Sequence, residues 1–486
     1  MSMKQYLNSK KTLLLAALVG YVIIWLLFPK YIVPSDPSFY SIISYKMVSG
    51  TFFHNVSNYP FEHRLAVTVP TALFYYLFGV NDFSTNLWPL ICSLLLIYGL
   101  YKVTDNKYIF LFAVVFFMLN EIQFLISATL YPDTILSCFM FLSAYTLYRR
   151  DRIHQYGYLL PLATVLLLFL AGLAKLSVYW IVPMWVVMLG YDLKKRRYNL
   201  AWAYYGRMVL IGLVVLAGYL VFCKLVWGSY LARLFTTNIS LTDRTFSYPI
   251  TRAGELVHRI FLAMPHMLLV NFGILPLLFL GGLLKIDKRY GFWALYGGLI
   301  LFFFAFGTVN FHHYYVLTLG PRYIIYVLPV FSLVGAYAIV TYSEYVKKKS
   351  YKVVVALGLI LIVAMPFTYR VYTDAMIGES IEQTMSYVKN HLINNKEKKI
   401  VLLTYTYRNK VVLPYYFGYK RTSDFNIQYM DGIKYEGDKN DSIYLIQDER
   451  LVHFLNNMFG IKFEKLSGNF RKIYTNKNLV IYKYHG

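Results

Sequence analysis

The chain reads as a polytopic α-helical membrane protein of about eleven spanning helices, with a polar α/β domain at its C-terminal end. Three observations predict this. Of 486 residues, 58% are hydrophobic and 15% charged, with a mean hydropathy of +0.47; a water-soluble fold has too little interior for that apolar fraction. The apolar residues come in runs of roughly 17–22, long enough to cross a bilayer as helices. Basic residues gather in the gaps between alternate runs, and that asymmetry sets the direction of threading.

The first run, 12–28, has no small-residue cleavage site and continues into Phe28-Pro29. It is expected to be a retained helix with its N-terminus inside. An outer loop follows over 30–85. Residues 37–49 place apolar positions at helical spacing, and Pro37 suits a first turn. The run 66–79 is short and contains Pro70. Counted as a span, it would place four basic clusters outside, so it is expected to lie at the outer surface. Spans are then expected at 86–101, 108–126, 132–148, 157–172, 175–191, 207–227, 262–284, 290–308, 321–342 and 352–369. This threading puts Lys4, Lys10, Lys11, Lys102, Lys107, Arg149, Arg150, Arg152, the run Lys194 to Arg197, Lys285, Lys288, Arg289 and the run Lys347 to Lys349 inside.

Past residue 369 the composition turns polar. Within 370–486, the stretches 399–406, 442–447 and 479–484 read as strands, and 380–395 and 449–459 as helices. An odd number of spans places this domain outside. It shows no catalytic constellation and is expected to cover the site and help select the acceptor. The chain thus divides into a membrane domain over 1–369 and a soluble extracytoplasmic domain over 370–486.

The formal net charge of +24 fits positive-inside threading with attraction to anionic lipid heads, and it also suits a phosphate-bearing substrate. Nucleic acid is excluded as a partner, because the basic residues are scattered over loops instead of lining one face. Cys92, Cys138 and Cys223 all lie inside apolar runs, with neither metal spacing nor a disulfide framework. The chain has no phosphate loop, dinucleotide fingerprint or nucleophile elbow.

Ionisable groups at the outer helix ends are the candidate site, because charge near lipid is costly and usually has a use. Asp36 stands just past the first helix in Val33-Pro34-Ser35-Asp36-Pro37, and Asp133 opens the span 132–148. Either suits a helix cap; two on one surface suggest acid–base work or a divalent cation between them. Glu62, His63 and Arg64 precede the surface helix, Lys175 lies in a tight turn, and Arg322-Tyr323 opens a late span. Arginine suits a phosphate because its guanidinium grips two oxygens. Arg244 and Arg252 lie in the outer loop 228–261.

An aspartate after the first helix, a surface helix, a second aspartate opening the fourth helix and an Arg-Tyr pair opening a late one together resemble the GT-C glycosyltransferases. The nearest likeness is to protein O-mannosyltransferases and lipid A aminoarabinose transferases, over residues 1 to about 370. The resemblance implies that Asp36 is the catalytic carboxylate, that Asp133 is the second-loop aspartate and that Arg322 holds the donor phosphate. Arg64 falls where aminoarabinose transferases carry a basic residue before Pro-Pro-Leu, although here Leu65-Ala66 follow. The implied donor is a polyprenyl-phosphate sugar and the implied acceptor a lipid, glycan or protein, at a bacterial or archaeal plasma membrane. The implied transfer inverts the sugar. Two rivals remain. An O-antigen-type polymerase or ligase would use paired arginines such as Arg244 and Arg252. A flippase would need broken helices or charges near the midplane and a repeat between halves.

Overall fold

The computed structural model describes residues 3–27, 36–52, 60–233, 247–249, 253–307, 315–317 and 319–344, five strands beyond residue 399, and the single positions 358, 383, 387 and 415. The membrane domain begins with α1 (Met3–Leu27), α2 (Asp36–Val48), α3 (Leu65–Phe78), α4 (Asp82–Val103), α5 (Lys107–Met118), α6 (Glu121–Ser127) and α7 (Pro132–Tyr148). Six described segments are long and apolar enough to span a bilayer: Ser9–Leu27, Asp82–Val103, Leu176–Lys194, Tyr198–Trp227, Lys288–Phe306 and Ile325–Ser343. Helix α7 and the helix Leu159–Ala174 are slightly shorter. Each expected span up to residue 342 falls on a helix or on a bent pair of helices. The eleventh, 352–369, lies outside the described residues, as do the helices expected at 380–395 and 449–459 apart from single positions.

Two expected spans are corrected. The run 108–126 is α5 and α6, bent by 66°. The run 262–284 is Gly254–Phe272 and Leu275–Leu283, bent by 111°. Local chemistry explains both breaks. Asn120 caps α6 by accepting from the Gln123 amide, and Gly273 takes a φ of 57°, which suits glycine. The breaks also meet, since Asn120 Nδ2 donates to the Asn271 carbonyl at 3.2 Å. In an apolar bundle, each interruption therefore satisfies polar groups that no water would reach.

The core is aromatic. Phe141 stacks on Trp293 at 4.6 Å, with Tyr296 edge-on to both. The helices Leu275–Leu283 and Leu328–Ser343 approach closely because Gly282 faces Val334. A Cβ there would lie 2.9 Å from the Val334 carbonyl oxygen, so only glycine fits without a shift. The helix through Tyr198–Trp227 turns Leu213, Val214 and Leu225 outward, as a lipid-facing helix does.

Basic groups collect at one end of the bundle. Lys10 Nζ donates to the carbonyls of Tyr101, at 2.7 Å, and Thr104. Arg289 pairs with Asp105. Arg150 grips the fully buried Asp192 through two bonds of 2.5 and 3.0 Å. Asp36, Asp133, Lys175 and Arg322 all lie at the opposite ends of their helices. The candidate site thus occupies one end of the bundle and the basic clusters the other.

A short antiparallel pair joins β1 (Ser247–Pro249) to β2 (Tyr315–Leu317). Beyond residue 399, β3 (Ile400–Thr404), β4 (Phe425–Tyr429), β5 (Ser442–Asp448), β6 (Phe470–Asn476) and β7 (Leu479–Tyr484) form a mixed sheet in the order β4-β3-β5-β7-β6. Strand β3 runs parallel to β4 and β5, and β7 antiparallel to β5 and β6. The three expected strands coincide with β3, β5 and β7; β4 and β6 were not anticipated.

Candidate active site

Four elements bring charged groups together at one end of the bundle. Asp36 is the first residue of α2. It sits in the helical first turn, where a carboxylate also favours the helix dipole, instead of standing outside it as a cap. Its Oδ2 lies 3.1 Å from Arg322 Nη1, and both side chains remain partly open, at 19% and 26% exposed. Arg322 comes from a 3-10 turn, Pro321–Tyr323, ahead of the closing helix. Its Nη2 donates to the Tyr323 hydroxyl at 3.0 Å, and its guanidinium lies over the rings of Tyr131 and Tyr323.

Asp133 is not a cap either. The cap position of α7 is Tyr131, and no side chain fills that role. The buried Asp133 carboxylate accepts through Oδ1 from Lys175 Nζ at 2.8 Å and from the Tyr326 hydroxyl at 2.6 Å. Lys175 also donates to Tyr326 at 3.1 Å and lies 4.3 Å from the Tyr323 ring centroid. The second Asp133 oxygen is buried without a hydrogen-bond partner.

The structure divides the Glu62-His63-Arg64 triplet. The Arg64 guanidinium donates to the Tyr40 hydroxyl and lies over the Tyr40 and Phe61 rings. Glu62 is buried. His63 turns to Trp227, with ring centroids 4.4 Å apart. Burial, aided by the nearby Arg233 cation, lowers the His63 pKa to about 4, so the ring is neutral at pH 7. Both its nitrogens are buried and unpartnered. Arg244 lies outside the described residues.

The charged groups act on one another. Burial opposes the Arg322 cation, but Asp36 and Asp133 outweigh it and raise its pKa further. Arg64 behaves alike: burial is overcome by Tyr40, Asp36 and Asp133. Lys175, in the turn between two spans, is lowered to about 8, first by burial, with Arg322 and Arg64 adding to it and Asp133 resisting. Its amine is therefore cationic below about pH 8 and neutral above. If Lys175 supplies positive charge to a phosphate, the KM for that ligand should rise several-fold between pH 7 and 9. In Lys175→Arg that alkaline rise should disappear, and steady-state kinetics over that range would check both.

The donor set does not fit a divalent cation between the two aspartates. Asp36 faces Arg322, Asp133 holds Lys175 and Tyr326, and the described residues contain no group of three or more His, Cys, Asp or Glu able to hold an ion. Tyr40 and Tyr326 were missed at the level of sequence. Tyr40 follows Asp36 by four positions on α2, the next turn of the same helical face, whereas Tyr326 is reached from Arg322 across two separate 3-10 turns, Pro321–Tyr323 and Ile325–Val327.

Comparison with known proteins agrees with this architecture. Residues 64–222 match the model of the dolichyl-phosphate-mannose-protein mannosyltransferase family. The structure of ArnT from Cupriavidus metallidurans bound to undecaprenyl phosphate superposes with a TM-score of 0.61 at 14% identity, covering 99% of this chain and 98% of that one. The apo structure of the same protein gives 0.59 at 14%, with 98% of each chain covered. No curated protein matches by sequence. With helices, site end and sheet in this order, the chain has the fold of the GT-C membrane glycosyltransferases, the superfamily of both matches.

Proposed function

We propose that the chain transfers a sugar from a polyprenyl-phosphate donor to a hydroxyl acceptor, with Asp36 as general base. The observation that carries this reading is the pairing of a partly open carboxylate with a partly open guanidinium, Asp36 with Arg322 at 3.1 Å. Lys175 and Arg64 stand in the same electrostatic cluster. A donor phosphate entering the cluster competes with Asp36 for Arg322. The guanidinium turns to the phosphate, and the carboxylate is released to face the acceptor.

The acceptor oxygen then attacks the anomeric carbon as the bond from that carbon to the phosphate oxygen breaks. The bonding electrons leave on the phosphate, and the acceptor proton passes to Asp36. A single displacement of this kind inverts the anomeric centre. No strong general acid is required, because lipid phosphate leaves as a stabilised anion; cations hold the charge that develops. Asp133 is given a positioning role. It is buried and already accepts two bonds through one oxygen, an arrangement suited to holding the Lys175 amine in place.

ArnT, which shares the fold, was solved with undecaprenyl phosphate, and this supports a lipid-linked donor here. The broken helices that a flippase reading requires are present. Their junction carries the amides Asn120, Gln123 and Asn271 and one acidic residue, Glu121, whereas the paired carboxylates and cations gather at one end of the bundle, as a surface transfer site requires. The test is incubation of the purified protein with undecaprenyl-phosphate mannose or undecaprenyl-phosphate aminoarabinose and candidate acceptors. Release of undecaprenyl phosphate that depends on acceptor is expected; lipid movement between leaflets with no such release would replace this reading with the flippase.

Positive-inside threading turns the basic end to the cytoplasm and the site outward. Topology reporters fused at residues 105, 195 and 400 are expected to read inside, inside and outside. A cytoplasmic signal at 400 would overturn the orientation.

A further inference from the structure

A line of hydroxyl groups runs from the C-terminal region into the helix that carries Asp36. Tyr415 is buried, and its hydroxyl donates to Asp82 Oδ1 at 2.8 Å, at the start of α4. The same hydroxyl lies 3.1 Å from Thr85 Oγ1. Thr85 Oγ1 lies 2.9 Å from the Tyr75 hydroxyl on α3, which lies 2.6 Å from Ser41 Oγ on α2. Ser41 and Thr85 are fully buried and Tyr75 nearly so.

The direction of these bonds follows from their end point. An ionised carboxylate only accepts, so Tyr415 spends its proton on Asp82, and the single Thr85 proton is shared between the Asn81 carbonyl at 2.7 Å and the Tyr415 oxygen at 3.1 Å. Thr85 can then accept from Tyr75, and Tyr75 from Ser41. Aligned in this way, the hydroxyls polarise one another, and each bond is strengthened by the next. The chain ends on α2 five residues after Asp36. Beside it, Ser44 Oγ shares its proton between the Tyr40 carbonyl of its own helix at 2.7 Å and the Thr68 carbonyl of α3 at 3.0 Å.

We propose that Tyr415 is a positioning residue: seated on α4, it completes the hydroxyl chain that sets α2 and so aims the Asp36 carboxylate. The inference rests on the proposed role of Asp36. It makes the C-terminal region part of the transfer step and not only a cover. Truncation is not needed to test it, because Tyr415→Phe keeps the ring and removes the hydroxyl in the full chain.

Two measurements decide the matter. In Tyr415→Phe, kcat with the undecaprenyl-phosphate sugar should fall roughly tenfold while the donor KM stays within about twofold, as expected when a reacting group is misaimed by a fraction of an ångström. Tyr75→Phe should do the same, and the double variant should be no worse than the poorer single one, since one chain is broken twice. Independently of turnover, hydrogen–deuterium exchange across residues 36–48 should quicken in both variants. Wild-type kcat in Tyr415→Phe, losses that multiply in the double variant, or unchanged exchange over 36–48 would each overturn the proposal. A wild-type protein that transfers no sugar, while exchange over 36–48 still responds, would remove the functional reading and leave the coupling of Tyr415 to α2 standing.

Discussion

Asp36→Asn should lower turnover by roughly 10²–10⁴-fold, the range a positioned general base supplies. The amide keeps the size of the carboxylate and can still meet the Tyr-lined cluster, but it cannot take the acceptor proton. Folding should be little affected, because Asp36 is partly open and its pairing with Arg322 is not deeply buried. The donor should bind at least as well, since the carboxylate no longer competes for Arg322. Loss of kcat with an unchanged or lower donor KM is therefore the expected pattern. Turnover within a few-fold of wild type would reduce Asp36 to a charge that steadies the start of α2.

Arg322→Lys is the second large effect, and it should fall on donor use. The arginine points one nitrogen at Asp36 and another at Tyr323 while its plane lies over Tyr131 and Tyr323. Lysine keeps the charge but has neither the fork nor the plane. The donor KM should rise about 10- to 100-fold, equivalent to about 1.4–2.8 kcal/mol of lost binding, and Arg322→Ala should go further. Titration of undecaprenyl phosphate against the three proteins checks this without any acceptor. Equal affinity in wild type and Arg322→Ala would leave Arg322 as a partner of lipid headgroups alone.

Much of the membrane architecture is legible from apolar run length, because a helix in lipid satisfies its own backbone and its length is set by the bilayer. The breaks were not legible in that way. An apolar run averages over Asn120-Glu121, yet that pair is a helix start signal in the middle of a span, and Gly273 followed by Pro276 is a similar interruption. Local pattern placed Asp36 and Asp133 on one surface and suggested caps for both. What it lacked was their partners. Asp133 meets Lys175 and Tyr326 across 42 and 193 residues of chain, and only the packing of α7 against its neighbours makes those contacts. The i, i+4 relation of Asp36 with Tyr40 is readable in the sequence, since it needs nothing beyond helical geometry, whereas that of Arg322 with Tyr326 depends on two successive 3-10 turns.

The contact between Asn120 and the Asn271 carbonyl has a mechanical consequence. Helix α6 and the segment Gly254–Phe272 both lie on the site side of their breaks, whereas α5 and Leu275–Leu283 lie toward the basic end. Tying the two breaks together joins the site-side pieces above a lower half braced by Arg150–Asp192 and by the close approach at Gly282. A displacement of either site-side piece at its break is therefore carried to the other through a single side-chain amide.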